Sequence, residues 1–182
     1  MSPASKRVVL VGGGVRSGKS AFALRRASEL GARRVFLATA EALDDEMTAR
    51  ITRHQMERGA SFVTVEEPLA VPERLDALTD VDVVLLDCLT LWLSNLVVRG
   101  DDERRVEAAV EELARVLATR RFHAVVVTNE VGMGLVPESA LGRLFRDVAG
   151  RAHQRLAALA DEVHFAALGV MLTLKPSPLV AR

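Results

Sequence analysis

Apolar residues in this 182-residue chain fall into short unbroken runs separated by stretches with helical spacing. Arg7-Val8-Val9-Leu10-Val11, Arg34–Ala38, Ser61–Val65, Val81–Asp87 and His123–Asn129 have the length and β-branched content of buried strands. Between them, Ala21–Ala27, Asp44–Arg58, Pro68–Leu78, Leu89–Val98, Asp102–Thr119 and Leu141–Ala160 read as helices. Asp44, Asp45 and Glu46 occupy a first turn, where the helix dipole favours carboxylates. Val163–Ala167 and Val170–Leu174 are last strands around Gly169, too close in sequence for a parallel crossover, so the final strand is expected to be antiparallel. The pattern predicts an α/β fold with a mainly parallel sheet flanked by helices. No repeat, linker or low-complexity tract divides the chain, so residues 1–182 are expected to form a single nucleotide-binding domain with 176–182 as a loose tail.

The first strand runs into Gly13-Gly14-Val15-Arg16-Ser17-Gly18-Lys19-Ser20, which fits G-x-x-x-x-G-K-[ST], the phosphate-binding P-loop. The strand before it and the helix after it are the context that the motif requires. Glycines let several backbone N–H groups face one anion, and the helix N-terminus adds partial positive charge. Lys19 is placed to reach the β- and γ-phosphates, and the Ser20 hydroxyl to ligate Mg²⁺.

Composition narrows the function classes. Lys plus Arg and Asp plus Glu balance at 24 each, which argues against a general nucleic-acid or membrane-surface binder. Hydrophobic residues at 49% and charged residues at 26% are ordinary for a globular protein, and no run is long enough to span a membrane. The first residues lack the apolar segment of a signal peptide. Cys88 is the one cysteine, so no intrachain disulfide forms, which suits a cytoplasmic protein.

Ligands in such sheets bind at the carboxyl ends of the strands, a rule that gathers the first loop, Thr39–Glu41, Glu66, Asp87 and Asn129-Glu130 on one rim. Asp87 ends an apolar strand as a Walker-B carboxylate does, helping to hold Mg²⁺; the plainer reading is a helix cap. Cys88 reads as a small buried apolar residue. His54 shares a helix face with Met47, Ile51 and Arg58. Such a histidine is ordinarily packing, yet a neutral imidazole is also a competent nucleophile, with Arg58 one turn on to hold a phosphate. Gly132–Pro137 reads either as a lid or as a plain connection. Arg143, Arg146, Arg151 and Arg155 fall near one side of the long helix, as a solvated face or an anionic-substrate patch. His123 and His164 look structural, and His153 stays undecided. No His, Cys and carboxylate spacing marks a zinc site.

Several stretches together resemble the bifunctional adenosylcobinamide kinase/adenosylcobinamide-phosphate guanylyltransferases. They are the P-loop as Gly-Gly-Val-Arg-Ser-Gly-Lys-Ser, Leu37–Ala40, Asp44–Met47 followed by Arg50-Ile51 and His54, and above all Thr128–Glu138, with Phe145–Arg151 and Ala160–Val163 continuing it. The resemblance runs from about Arg7 to Leu174. It implies a RecA-like P-loop NTPase fold and two steps late in cobalamin assembly. ATP or GTP would phosphorylate the aminopropanol hydroxyl of adenosylcobinamide. GTP would then guanylylate a histidine, matched here by His54, and GMP would pass to adenosylcobinamide phosphate, giving adenosyl-GDP-cobinamide. The resemblance also carries nucleotide contacts onto Gly13 through Ser20, Ala38, Thr39, Ala40, Gln55, Met56, Glu57, Arg58, Glu66 and Asp87, and it implies a homotrimer. The chain departs from some members at Arg53, where they have a second histidine, at Asp87, where they have Glu, and at His153, where they have Asn. The competing readings are a P-loop kinase for another small metabolite without guanylyl transfer, and a nucleotide-gated assembly protein. Neutral charge and 4% aromatic content count against the latter.

Overall fold

The computed structural model describes residues 5–41 and 61–176. Strands β1 (Val8–Gly13), β2 (Arg34–Ala38), β3 (Val63–Glu66), β4 (Val83–Asp87), β5 (His123–Val127), β6 (Glu162–Ala167) and β7 (Val170–Lys175) form one seven-stranded sheet in the order β3-β2-β4-β5-β1-β6-β7. Neighbours are parallel except β6 and β7, which pair antiparallel as expected. The described helices are α1 (Lys19–Leu30), α2 (Val71–Asp76), α3 (Leu89–Val98), α4 (Glu103–Ala118) and α5 (Ala140–Leu159). The helix expected over 44–58, and with it His54, Gln55, Met56, Glu57 and Arg58, lies outside the described residues, as does the tail beyond Pro176.

The central strands are apolar along their whole length because both their faces are covered. Val8 and Leu10 of β1, Val84 and Leu86 of β4, and Ala124 and Val126 of β5 pack with α2, α3, α4 and α5. Val9, Val11, Val83, Leu85, Val125 and Val127 face the other way, against Ala23 and Ala27 of α1. Burying each such Val or Leu contributes about 1.5–3 kcal/mol, so packing onto the sheet outweighs helix propensity in fixing the helices. Trp92 is fully buried and satisfies its indole by donating from Nε1 to Leu69 O at 2.7 Å.

Local polar groups set the element ends. β4 starts at Val83, two residues later than its apolar run; just before it, the Asp82 carboxylate accepts from the backbone N–H of Ala32 and Arg33, while its own N–H donates to Arg33 O and its C=O accepts from His123 N–H. Glu67 accepts from the N–H groups of Leu69 and Ala70, forming a turn that shortens the helix expected from Pro68 to Val71–Asp76. Asp102 and Ser139 cap α4 and α5 by accepting from Arg105 and Gly142 N–H.

At the amino-terminal edge of the sheet, Glu162 accepts from Arg7 Nη1 at 2.7 Å and from Arg26 Nη2 at 2.6 Å, beside His164 Nε2 at 3.3 Å. Burial pushes its carboxyl up, but hydrogen bonds from Arg26, Arg7 and His164 outweigh that and lower its pKa to about 2. A pKa depressed on folding stabilises the fold above the unfolded value of about 4.3, and that contribution is lost as pH falls towards about 2. Glu162→Gln is therefore expected to lower stability at neutral pH and to flatten the acid limb of the stability curve. Urea midpoints of both proteins from about pH 7 to about pH 2 check this; two parallel curves would contradict it.

Candidate active site

β1 delivers the P-loop at the carboxyl edge of the sheet. Its last residue, Gly13, has φ +150°, and a Cβ there would stand 2.6 Å from Ala166 O and 2.8 Å from Ser17 Oγ. Gly18, at φ +93°, caps the start of α1 in the left-handed region. Lys19, the first residue of α1, is buried, and its Nζ donates to Gly14 O at 3.0 Å. This folds the lysine back over the loop. Among the described residues the buried Ser17 hydroxyl finds no hydrogen-bond partner, a polar group inside the loop for an anionic ligand to satisfy. Gly13→Ala is expected to cost roughly 1–3 kcal/mol by forcing the loop off β6. Gly14, where a Cβ would meet nothing within 4 Å among the described residues, is expected to accept alanine with little loss. Thermal unfolding of the two variants checks the contrast; equal melting points would refute it.

The sheet register lines the other predicted residues along one row. Glu66 pairs with Ala38, Ala38 with Asp87, Asp87 with Val127, and Val127 with Val11 of β1. Asp87 is thus two strands from β1, roughly 10 Å, with β5 between them. Glu66 is exposed and lies four strands from β1, about 19 Å away, beyond the span of a triphosphate alone. Thr39 is fully buried; its Oγ1 donates to Cys88 O at 2.8 Å and accepts from Cys88 N–H at 2.9 Å. That clip ties the ends of β2 and β4 together and commits the Thr39 side chain to the wall of the site. Asn95 extends it, donating from Nδ2 to Thr39 O at 2.9 Å. Ala40 follows as a half-buried residue. Cys88 fits its apolar reading: burial, and then the adjacent Asp87, push its thiol up to about 11, and its Sγ accepts from Leu91 N–H.

The stretch after β5 carries a cluster that sequence reasoning left unconnected. Thr128 Oγ1 lies 2.7 Å from His153 Nε2, and His153 Nδ1 lies 3.6 Å from Glu130 Oε2. Asn129 donates from its backbone N and from Nδ2 to Thr90 Oγ1. Beyond Glu130 the loop exposes Met133, Leu135 and Val136, and Arg143 Nη1 ties its end down by donating to Pro137 O and Glu138 O. Arg151 pairs with Glu103 and Glu107 of α4 and Arg155 with Glu111, as a solvated face predicts. Arg146 differs, because its buried Nη1 finds no hydrogen-bond partner among the described residues. His123 and His164 have structural roles: His123 Nδ1 accepts from Arg7 N–H, and His164 sits between Glu162 and Thr173.

Among the described residues no group of three or more His, Cys, Asp or Glu side chains is placed to hold a metal ion. The donors expected for Mg²⁺ are the hydroxyl of Ser20, in the first turn of α1, and the carboxylate of Asp87, at the end of β4. Hard oxygen donors few in number fit Mg²⁺ that arrives with nucleotide phosphates and keeps part of its water shell. No described helix is long and apolar enough to cross a membrane.

A family model described as "Cobinamide kinase / cobinamide phosphate guanyltransferase" matches residues 9–174. The chain is 41% identical over 171 residues to the bifunctional adenosylcobalamin biosynthesis protein CobP of Pseudomonas aeruginosa, covering 93% of this chain and 98% of that one. It is 39% identical over 181 residues to the bifunctional adenosylcobalamin biosynthesis protein CobU of Escherichia coli, covering 92% and 99%. Among solved structures, the RadB recombinase aligns over 89% of this chain and 74% of its own with a TM-score of 0.51 at 14% identity, a likeness of fold alone.

Proposed function

The chain belongs to the cobinamide kinase/cobinamide phosphate guanyltransferase family, and from that premise we propose how its residues run the two reactions of cobalamin biosynthesis. The observation that carries the reading is the family match over residues 9–174, which spans the cradle, the rim row and the Thr128–Glu138 stretch. In the kinase step, the loop N–H groups and Lys19 hold the β- and γ-phosphates of ATP or GTP while the aminopropanol hydroxyl of adenosylcobinamide attacks the γ-phosphorus. In the second step, the imidazole of His54 attacks the α-phosphorus of GTP and pyrophosphate leaves. The phosphomonoester oxygen of adenosylcobinamide phosphate then takes the guanylyl group, and His54 departs as adenosyl-GDP-cobinamide forms. Bound Mg²⁺, held by Ser20 and Asp87, would neutralise phosphate charge in both steps.

One cradle serves both donors, so the two reactions exclude each other within a site. Ala38, Thr39 and Ala40 are assigned to the wall beside the nucleotide, with Thr39 acting through its backbone because its hydroxyl is engaged by Cys88. Glu66 is assigned to the end of the nucleotide remote from the cradle, and Gln55 through Arg58 to further nucleotide contacts, with Arg58 to hold a phosphate beside His54. The enzyme is proposed to act as a single nucleotide-binding domain in the cytoplasm, assembled as a homotrimer. The apolar side chains that β7 exposes, Val170, Leu172 and Leu174, suit a surface covered by a neighbouring subunit.

Incubation of the protein with adenosylcobinamide and either ATP or GTP, followed by chromatography and mass analysis of the corrinoid, tests the reading. ATP alone is expected to give the phosphate, and GTP the GDP derivative. An unmodified corrinoid with both donors would overturn it.

A further inference from the structure

Glu130 sits where the end of β5 meets the phosphate cradle. Its backbone N–H donates to Gly13 O at 3.0 Å, which pins it to the first residue of the loop. Its carboxylate is held from two sides: Oε1 accepts the Gly132 N–H, and Oε2 faces His153 Nδ1 at 3.6 Å. Burial holds the His153 pKa below its ordinary value, against the opposing pull of Glu130, so the ring is neutral near pH 7. In the tautomer with the proton on Nδ1, that N–H points to Glu130 while Nε2 accepts from the Thr128 hydroxyl. The Glu130 side chain is 25% exposed and so open to the rim, whereas His153 is covered at 16%. The same three side chains line a cavity of about 240 Å³ floored by Leu10, Ala157 and Phe165. That space suits a short aliphatic alcohol arm and not a macrocycle.

We infer that Glu130 is the general base of the kinase step, with His153 and Thr128 as positioning residues; this rests on the kinase reading above. As the alcohol oxygen bonds to the γ-phosphorus, its proton passes to a Glu130 carboxylate oxygen. The bond from the γ-phosphorus to the bridging oxygen breaks, and the nucleoside diphosphate leaves with that electron pair. Glu130 then releases the proton to water at its exposed side. Guanylylation has no such need, because a neutral imidazole attacks with a lone pair it already has. The inference therefore predicts that damage to Glu130 separates the two half-reactions.

The test compares phosphorylation of adenosylcobinamide with formation of guanylylated protein from GTP, followed by intact mass, in the full-length enzyme. Glu130→Gln is expected to lower the kinase kcat by about 10²–10⁴-fold with a much smaller change in KM. Guanylylation is expected to fall at least about tenfold less than the kinase does, which also reports a folded cradle. Glu130→Asp, which keeps the carboxylate, should recover part of the kinase loss, and His153→Leu should lower kcat less than Glu130→Gln does. Equal losses in both half-reactions, or an unchanged kinase kcat, would overturn the assignment. If the wild type phosphorylates no cobinamide while still forming the adduct, the kinase reading itself fails and the base assignment with it.

Discussion

Lys19→Ala is expected to cripple both reactions, each by about 10²–10³-fold or more, since a preorganised charge lost from a phosphoryl-transfer site typically costs about 3–4 kcal/mol of transition-state stabilisation. The size follows from placement. Lys19 is 8% exposed and its Nζ already lies on Gly14 O at 3.0 Å, so the ammonium is held over the loop proposed to cradle the phosphates rather than ranging through solvent. A cation fixed in a partly dry site is worth more than one in water. In the proposed mechanism both half-reactions use the polyphosphate cradle, so both are expected to fall together. Kinase kcat/KM and the rate of protein guanylylation, measured on the same preparation, check this. Normal guanylylation in the variant would show that the second reaction uses another site.

His54→Ala is expected to reduce guanylyl transfer to background while leaving most of the kinase activity. Removing a covalent nucleophile typically costs several orders of magnitude, whereas phosphoryl transfer to an alcohol needs the cradle and not the imidazole. Arg53 precedes His54, so no adjacent histidine offers a substitute. The measurement is the ratio of the two activities in a variant whose thermal unfolding matches the wild type. Equal loss of both would mean that the residue supports the site's structure.

The central strands were legible because burial on both faces leaves a continuous apolar run; Val83–Asp87 and His123–Val127 stand out for that reason. Helix α3 was read to the residue, since Cys88 ends the strand register and caps the helix with its sulfur. The helix expected from Pro68 starts at Val71 because the Glu67 carboxylate accepts from the Leu69 and Ala70 N–H groups and makes a turn that the apolar pattern does not show. The P-loop was legible because its glycines and Lys19 are contiguous in sequence. The Thr39–Cys88 clip and the Thr128–His153 contact were not, since their partners stand 49 and 25 residues apart and meet only through strand order and helix crossing. Thr128 through Glu138 was singled out as a block, yet nothing local tied Glu130 to His153. His54 depends on resemblance, because spacing along a helix does not separate a nucleophile from a packing residue.

The central claim is that one P-loop enzyme carries both a kinase and a histidine-linked guanylyl transfer. Intact-protein mass spectrometry after incubation with GTP and Mg²⁺, beside His54→Ala, tests it most directly. The account predicts a mass gain of one guanylyl group in the wild type, stable under mildly alkaline conditions and absent in the variant. No gain in the wild type would contradict it and leave a kinase alone.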